Sequence, residues 1–378
     1  MDICIETVKS KKCTGCGACE NVCVEKAISM FTDQEGFWYP AIDGKKCIRC
    51  ERCLDVCPVY NLEEIDCVEK TDQEIKVYAA WSLDQEIRYH STSGGIFSEL
   101  AFYVLKNGGY VCGAVYDDEQ MVKHLITNQV KELERLRQSK YVQSEMGDIY
   151  IKVEKLLREN KTVLFCGMPC QCKGVFNYCK AKDTDMSNLY LIDFICRGSN
   201  SPKIYRKFLD ELKDKYESDI SKVWFKNKTY GWNRFSTKIE FANGESYLKD
   251  RYHDLYIRGY IEANLFIRPS CTVCKFKGLH RMADLTLADF WGIQLDEDGM
   301  ENSDAGTSMV MVHTERGEKL WDAISSHIYK VDKRVEDVIP GNYCFEHSVQ
   351  HGVHRNQFME DLDKMPVIDN IERFLKEN

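Results

Sequence analysis

Two cysteine-rich stretches, CTGCGACENVC from Cys13 to Cys23 and CIRCERCLDVCP from Cys47 to Pro58, decide how the N-terminal part of this chain folds. In each stretch three cysteines lie three positions apart, and a fourth follows after three intervening residues. The second stretch repeats the first at an offset of 34 positions. With this spacing a compact loop can surround a metal centre with three thiolates, while a short helix takes the fourth thiolate to a neighbouring centre.

The repeated spacing is typical of bacterial two-cluster ferredoxins, in which the last cysteine of each run ligates the other 4Fe-4S cluster. It predicts one cluster on Cys13, Cys16, Cys19 and Cys57, and a second on Cys47, Cys50, Cys53 and Cys23. Zinc sites and disulfides are the alternatives, but eight thiols in this repeat favour iron-sulfur clusters. Val24 stands where the pattern has a proline, which affects only the local turn.

The composition is that of an ordinary soluble protein of 378 residues, long enough for roughly two or three domains. No apolar run approaches the roughly 20 residues of a membrane helix, and the N-terminus lacks the apolar region of a signal peptide, so a cytoplasmic protein is expected. The net charge of -9 disfavours a nucleic-acid partner. Nineteen cysteines in ligand spacings require a reducing compartment, which an anaerobic host would provide.

The order of predicted elements indicates an α+β ferredoxin-like domain followed by a mixed α/β domain. A hairpin is predicted from Ala27 to Ile42, and a strand from Val77 to Ser82. Beyond it, apolar residues at helical spacing begin at Ile96, and strands and helices then alternate. Ser201 before Pro202 is predicted to cap a later helix, and the stretches VWFKN (223–227) and TKIEFAN (237–243) are predicted to form an antiparallel insertion. We therefore predict a two-cluster domain at 1–70, an oxidoreductase domain at 71–330 and a mostly helical C-terminal extension at 331–378.

Four further cysteines lie in loops that contain Gly or Pro: Cys170, Cys196, Cys271 and Cys274. Two of these loops directly follow predicted buried strands, where α/β folds usually carry their chemistry. Four thiols make a complete ligand set, so spacing alone leaves a third 4Fe-4S cluster and a zinc site both open. We interpret Cys166 as a buried apolar residue that ends a strand.

The stretch STSGG, from Ser91 to Gly95, is predicted to open the first helix of the larger domain. Small residues with free backbone N–H groups suit a phosphate, although a simple helix cap is the commoner explanation of such a stretch. The chain contains neither the glycine fingerprint of a Rossmann NAD site nor a P-loop, which disfavours both sites. We interpret Arg281, Asp284 and Asp289 as residues that orient loops or pair with one another, and structural ion pairs are the commoner explanation for such charges.

A series of loops in this order resembles the beta subunits of coenzyme F420 hydrogenases and dehydrogenases. The resemblance covers about residues 75–320 and rests on STSGG, SKYVQS, VLFCGMPCQCKG, LIDFICRGSNSP, RPSCTVCKF, RMADLTLADFWG and AGTSMVMVHTERG. It implies FAD bound without a standard Rossmann fingerprint, and a 4Fe-4S cluster near the flavin. It also implies that Cys170, Cys196, Cys271 and Cys274 are the ligands of that cluster.

The resemblance further assigns the FAD contacts. These are Thr92, Ser93, Gly94 and Gly95 of STSGG, Ser139, Lys140 and Tyr141 of the SKY stretch, and the loop of Gly306, Thr307 and Ser308. A cation at Lys140 would stabilise the negative charge of the reduced flavin, which makes Lys140 the candidate catalytic residue. An exposed lysine at the start of a strand is the alternative.

These features together predict a flavin-dependent iron-sulfur oxidoreductase. Electrons would pass between the ferredoxin-type clusters and FAD, and the flavin would exchange two electrons or a hydride with a small organic substrate or a deazaflavin coenzyme. A ferredoxin or another redox protein is the expected partner. The alternative is an electron-transfer subunit that makes no product of its own and serves a larger hydrogenase, dehydrogenase or reductase complex.

Overall fold

The computed structural model describes residues 12–61, 75–293 and 304–376. The N-terminal part contains α1 (Ala18–Val22), β1 (Ile28–Thr32), β2 (Trp38–Ile42) and α2 (Arg52–Asp55). Strands β1 and β2 pair antiparallel, with Ile28 opposite Ile42, so the predicted hairpin is confirmed. The domain boundary predicted near residue 70 lies outside the described residues.

The rest of the chain contains eleven strands in its described part. They are β3 (Lys76–Ser82), β4 (Tyr110–Tyr116), β5 (Val122–Thr127), β6 (Val163–Cys166), β7 (Leu189–Phe194), β8 (Ile220–Asn227), β9 (Ser236–Phe241), β10 (Ser246–Asp250), β11 (Leu285–Asp289), β12 (Ser308–Val312) and β13 (Ile328–Lys333).

The α-helices described between and after these strands are mostly short. They are α3 (Gln85–Tyr89), α4 (Ile96–Lys106), α5 (Leu133–Leu136), α6 (Ile149–Arg158), α7 (Pro169–Ala181), α8 (Pro202–Tyr216), α9 (Leu255–Ile261), α10 (Glu315–Ala323), α11 (Val335–Val338), α12 (Arg355–Glu360) and α13 (Val367–Lys376). The sequence predicted that STSGG opens the first helix of this region. It opens the second, because α3 precedes α4.

Eight strands form the central sheet, in the order β13, β3, β12, β11, β7, β6, β4, β5. Its middle strands β11, β7, β6 and β4 are parallel, and the outer pairings are antiparallel. The carboxyl ends of the parallel strands therefore meet at one edge of the sheet, where open α/β sheets bind their ligands. The mixed α/β fold predicted for this region is confirmed.

Helices cover both faces of this sheet. Successive side chains of a strand point to opposite faces, so each central strand contributes apolar side chains to a core on either side. On one face Leu164 and Ile192 pack with residues of α4 and α10. On the other face Phe165 and Leu191 pack with residues of α6 and α7. This cover fixes the ends of β6 and β7, from which Cys170 and Cys196 follow.

A second core lies beside the sheet. Strands β8, β9 and β10 form a separate antiparallel sheet, as the sequence predicts, and pack with α8, α9, α12 and α13. Ser201 caps α8 by accepting a hydrogen bond from the backbone N–H of Ile204, which confirms the predicted helix start. Strand β13 pairs with β3, so the boundary predicted at residue 330 falls within a strand of the central sheet.

The N-terminal part packs directly on the larger one. Val22 and Val56 share a core with Ile149 and Tyr150 of α6. A bidentate ion pair joins Arg355, which is 4% exposed, to Glu35. The two-cluster part is therefore held against the central sheet by apolar packing and by polar contacts.

Candidate functional site

The two cysteine loops have the same backbone conformation. Gly15 and Gly17 have positive φ angles of 69° and 77°, and their counterparts Arg49 and Glu51 have φ angles of 56° and 61°. A left-handed conformation is unusual for residues with a side chain, and glycine adopts it without strain. The second loop thus keeps the shape of the first without its glycines, because the cysteines need the same arrangement in both loops.

The cysteines predicted for the first cluster lie together. Burial raises the pKa of Cys19 well above the usual thiol value, and the neighbouring thiols of Cys16, Cys13, Cys57 and Cys53 raise it further. Burial also raises the pKa of Cys57 to about 12. The backbone N–H of Gly15 donates to the Sγ of Cys13 at 3.4 Å. Three buried thiols and the half-buried thiol of Cys13, with a backbone donor, fit the ligand set of a 4Fe-4S cluster.

The cysteines predicted for the second cluster lie nearer the surface. Cys50 is exposed, and Cys23, Cys47 and Cys53 are half-buried. The backbone N–H of Ala27 donates to the Sγ of Cys23 at 3.2 Å. Ile48 and Tyr60 beside this loop are 62% and 51% exposed. The second set therefore lies at the solvent-exposed end of the N-terminal part.

A third set of thiols converges at the sheet edge. Cys170 lies in the first turn of α7, Cys196 follows β7, and Cys271 and Cys274 lie in and just after a short 3₁₀ helix at Pro269–Val273. Burial raises the pKa of Cys170, and the thiols of Cys196, Cys274, Cys16 and Cys271 raise it further. Burial raises the pKa of Cys196 to about 12. Each of these thiols makes ionisation of its neighbours less favourable. A cationic metal centre offsets this repulsion and holds all four as thiolates, so the group suits such a centre.

The first and third sets are neighbours. The thiol of Cys16 raises the pKa of Cys170. The Tyr150 hydroxyl donates to the carbonyl oxygen of Cys16 at 2.7 Å. Burial raises the pKa of Tyr150 well above its usual value, and Cys16 and Cys170 both add to that shift. Tyr150 therefore lies near the thiols of both sets.

One large cavity adjoins the third set. It has a volume of about 490 Å³ and opens at the carboxyl ends of β6, β7 and β11. Cys196 lines it, as do Thr92, Ser93 and Gly95 of the STSGG loop. Cys166 also lines the cavity wall at the end of β6, so it is only half-buried.

The segments predicted to contact FAD meet at this cavity. Ser93 Oγ donates to the carbonyl oxygen of Thr307 at 2.6 Å, and the Gly94 N–H donates to Ser308 Oγ at 2.9 Å. The Ser139 N–H donates to Thr92 Oγ1 at 2.7 Å. Seven of the ten predicted residues line the cavity: Thr92, Ser93, Gly95, Ser139, Lys140, Tyr141 and Ser308. The structure brings the three segments together.

The other three residues, Gly94, Gly306 and Thr307, lie behind the cavity wall. A Cβ atom on Gly94 would lie 2.3 Å from the carbonyl oxygen of Ala80, so only glycine allows the loop to approach β3. Gly306 has a φ angle of 102°. Lys228, which sequence reasoning missed, joins these loops: its Nζ donates to the carbonyl oxygens of Ser93 and Ala305, each at 2.7 Å.

Lys140 lines the cavity, but its ammonium group is held by the backbone. Its Nζ donates to four carbonyl oxygens around the end of α5: those of Arg135, Leu136, Arg137 and Gln138, at 2.6–3.3 Å. Desolvation lowers the pKa of Lys140 to about 7. The Lys140 amino group is thus fixed at the end of α5 in the cavity wall, and it is positively charged below about pH 7.

The opposite wall contains a charged and aromatic group. Lys226 Nζ lies 3.0 Å from Asp289 Oδ2 and 3.8 Å from the ring centroid of Phe235. Trp232 Nε1 donates to the other oxygen of Asp289 at 2.9 Å, and its ring stacks on Trp291 at 4.5 Å. The sequence signals for this wall are the position of Asp289 at a strand end and the aromatic residues Trp232 and Phe235.

The three charged residues interpreted as structural are all ion-paired. Arg281 pairs with Asp193 at 3.0 Å, Asp284 with Arg316 at 2.9 Å, and Asp289 with Lys226. Their partners come from distant parts of the chain. In the part of the chain that the structure describes, no group of three His, Cys, Asp or Glu residues is arranged to hold a single metal ion. Within the same residues, every helix is too short or too polar to cross a membrane.

Comparison with family models matches three regions of the chain. The model of the coenzyme F420 hydrogenase/dehydrogenase beta subunit N-terminus matches residues 77–150, and that of the C-terminus of the same subunit matches residues 160–337. Together they span about two thirds of the chain. A 4Fe-4S dicluster domain matches residues 12–61.

Two curated proteins from Methanocaldococcus jannaschii are similar to the chain. It is 25% identical over 342 residues to a coenzyme F420-dependent sulfite reductase. This match covers 84% of this chain and 47% of that protein. It is 38% identical over 65 residues to an uncharacterized polyferredoxin-like protein, covering 15% of this chain and 39% of that protein. The chain therefore spans less than half the length of either relative.

Among solved structures, a chain from the F420-reducing NiFe hydrogenase complex of Methanosarcina barkeri is similar. It shows 17% sequence identity and a TM-score of 0.47, and the match covers 80% of this chain and 91% of that chain.

Proposed function

This chain belongs to the coenzyme F420 hydrogenase/dehydrogenase beta subunit family and carries a 4Fe-4S dicluster domain, and we propose from that membership that it is a flavin-dependent iron-sulfur oxidoreductase. Electrons pass between the two ferredoxin-type clusters, a third 4Fe-4S cluster and FAD. The reaction partner at the flavin is a small organic substrate or a deazaflavin coenzyme.

The observation that carries this proposal is the position of Cys196. This residue belongs to the group of four thiols that includes Cys170, and it also lines the cavity. A cluster on these thiols would therefore adjoin any ligand in the cavity. Cys16 of the first set influences the same group, so the three thiol sets follow one another from the surface to the cavity.

The cavity residues suit FAD. When bound, FAD accepts single electrons from clusters and exchanges two electrons with an organic substrate. The loop at Thr92–Gly95 leads into the N-terminus of α4 at the cavity, and a helix N-terminus favours an anionic group such as a diphosphate. Lys228 holds that loop to Ala305 and brings a buried positive charge close to it. Trp291 and Phe235 offer flat apolar surfaces in the same cavity.

Cofactor analysis tests the proposal. The chain is purified without oxygen after iron and sulfide have been supplied, and we expect one FAD and about twelve iron per chain, from three four-iron clusters. Flavin reduction is then assayed with reduced ferredoxin and with reduced coenzyme F420. A preparation that contains iron but no flavin would contradict the proposal.

A second function is an electron-transfer subunit that serves a partner enzyme. The exposed loop around Cys50 favours it, because Val24 and Ile48 beside this loop are 53% and 62% exposed. Exposed apolar residues beside a redox centre are suited to protein contact. The size of the native protein in extract of its host separates the two functions, because a subunit would run with its partner.

Replacing Lys140 by methionine is expected to lower the reduction potential of the bound flavin. A fixed cation in the cavity wall stabilises the negative charge of the reduced ring, and an interaction of about 1.4 kcal/mol corresponds to about 30 mV for a two-electron couple. Potentials are measured by anaerobic dye titration. Lys131→Met, which removes an exposed charge ahead of α5, is the control. An unchanged potential in Lys140→Met would remove Lys140 from the chemistry.

A further inference from the structure

A fully buried arginine lies between the first and third thiol sets. The guanidinium of Arg268 donates to the carbonyl oxygen of Cys13 from Nε at 2.9 Å, to Gln143 Oε1 from Nη1 at 3.0 Å and to the carbonyl oxygen of Trp38 from Nη2 at 2.8 Å. The side chain is 0% exposed. All three acceptors are neutral.

No carboxylate of residues 12–61, 75–293 or 304–376 forms an ion pair with Arg268 within 4.0 Å. Asp33 is close enough for Arg268 to lower its pKa, but burial raises that pKa more strongly, and the Asp33 carboxylate already accepts the backbone N–H of Phe37 at 2.8 Å. Burying an ion costs several kcal/mol even after relaxation, so a buried guanidinium requires a nearby negative charge.

The backbone of Arg268 connects the same residue to the third set. Its carbonyl oxygen accepts the N–H of Cys271 at 3.0 Å, and its N–H donates to Ser199 O at 2.8 Å. The Ser199 N–H in turn donates to the Sγ of Cys271 at 3.4 Å. Arg268 therefore contacts a residue of each set, Cys13 through its side chain and Cys271 through its backbone.

The loop of the first set is shaped to receive this arginine. A Cβ atom on Gly15 would lie 2.5 Å from Gln143 Nε2 and 2.8 Å from Arg268 Nη1. Gln143 Nε2 also donates to the carbonyl oxygens of Thr14 and Gly15, at 3.3 Å and 3.2 Å. Gly15 thus provides a left-handed turn and leaves space for the Arg268 and Gln143 side chains.

We propose that Arg268 is a positioning residue whose buried charge is shared by the first and third 4Fe-4S clusters, so that it raises the reduction potential of both and holds them at a constant separation. A four-iron cluster with four thiolates is an anion, and nearby positive charge favours the reduced state, which adds one electron. Among the described residues the Arg268 guanidinium has neutral hydrogen-bond acceptors and the rings of Tyr39 and Phe37, at 4.3 Å and 5.3 Å from Cζ, and no ion-paired carboxylate; the two clusters add negative charge on both sides of it. This proposal rests on the clusters of the proposed function.

The test compares the cluster potentials of the wild-type chain and Arg268→Gln by redox titration followed by electron paramagnetic resonance. Glutamine keeps hydrogen-bonding capacity but removes the charge. We expect the equilibrium constants for reducing the first and third clusters to fall about tenfold, which is 59 mV for one electron. The second cluster is the internal reference and should change least, and Arg268→Lys should recover most of the shift.

Arg355→Gln is the matched control. Arg355 is also a buried arginine that holds the N-terminal part, but its charge is paired with Glu35. Its replacement should loosen that contact and leave all cluster potentials unchanged. Equal potential shifts in the two variants would show that the potentials respond to loosening alone, and the proposal would be overturned.

A second measurement applies if Arg268→Gln does not retain its clusters. The iron content of Arg268→Lys then decides, because lysine keeps the charge and this variant should retain about twelve iron. Iron loss in Arg268→Lys as large as in Arg268→Gln would overturn the proposal, because the hydrogen bonds of the guanidinium, and not its charge, would then hold the clusters. A wild-type chain with about eight iron would contradict the third cluster and the proposed function, while the shift at the first cluster would still test Arg268.

Discussion

Replacing Cys170 by alanine is expected to reduce the iron content from about twelve to about eight per chain, because a four-iron cluster requires its four thiolates. The two ferredoxin-type clusters should remain, since their ligands lie in residues 13–57. Electron flow from these clusters to the flavin should fall more than a hundredfold. Cys170 lies between Cys16 and the cavity-lining Cys196 in the network of interacting thiols, so its loss interrupts the only relay that the proposal contains.

The measurements are iron content, the paramagnetic resonance spectrum of the reduced chain, and the rate of flavin reduction by reduced ferredoxin. Cys172→Ala is the matched control, because Cys172 lies two positions further along α7 and is fully buried. Its Sγ donates to the carbonyl oxygen of Ile192 at 3.4 Å, so its replacement should lower the free energy of unfolding by about 1 kcal/mol. The iron content should not change. Iron loss in Cys172→Ala but not in Cys170→Ala would overturn the ligand assignment.

Full iron in both variants would point to another ligand, and Cys344 is the nearest candidate. Lys277 Nζ donates to the carbonyl oxygens of Cys196 and Cys344, at 2.6 Å and 2.9 Å, and both cysteines line the cavity. The sequence offered no reason to single out Cys344, because it stands alone in a stretch without ligand spacing. The double variant Cys170→Ala, Cys344→Ala would then decide between the two cysteines.

Local patterns predicted the parts of the fold that depend on neighbouring residues. The cysteine repeat, the hairpin at Ile28–Ile42 and the Ser201 cap of α8 all follow from short-range geometry. The start of α4 after STSGG was also predicted, whereas α3 was missed, because its five residues are too few to show an apolar period.

Partners distant in the sequence could not be predicted. Asp193 and Arg281 are joined because β7 and β11 are neighbours in the sheet, and strand order is not written in either segment. Lys226 reaches the cavity wall from β8, a strand of the separate antiparallel sheet, so its pairing with Asp289 depends on how two sheets pack. The same reason explains why Arg268 was not recognised: its acceptors lie at residues 13, 38 and 143.

Replacing Arg281 by methionine is expected to destabilise the chain by about 3–5 kcal/mol, because it leaves a buried carboxylate without its cation. The side chains of Arg281 and Asp193 are each 1% exposed. Arg281 Nη1 lies 3.0 Å from Asp193 Oδ2, and the other carboxylate oxygen accepts the hydroxyl of Thr286. Asp193 is the penultimate residue of β7, three positions before Cys196, and lines the cavity, so the loss of Arg281 should also loosen the third thiol set.

The stability lost in Arg281→Met should depend on pH, and it should be larger at higher pH. Burial already raises the pKa of Asp193, and Arg281 opposes that shift. Without Arg281 the folded-state pKa rises further above the unfolded value, so between the two values the folded chain binds a proton that the unfolded chain lacks. Stability of the variant therefore falls as pH rises through this window, and the deficit should be smaller at pH 5 than at pH 8.

Arg316→Met provides the comparison, because Arg316 also pairs with a buried aspartate of the central sheet. Its side chain is 36% exposed, and Asp284 keeps the backbone N–H of Leu191 at 2.8 Å and the Thr314 hydroxyl at 2.7 Å. Arg316→Met should lower the free energy of unfolding by about 1 kcal/mol. Denaturant unfolding at the two pH values measures both variants. The double variant Asp193→Leu, Arg281→Met should recover stability, since it removes both charges together; a double variant as unstable as Arg281→Met would show that lost packing, and not the unpaired carboxylate, causes the deficit.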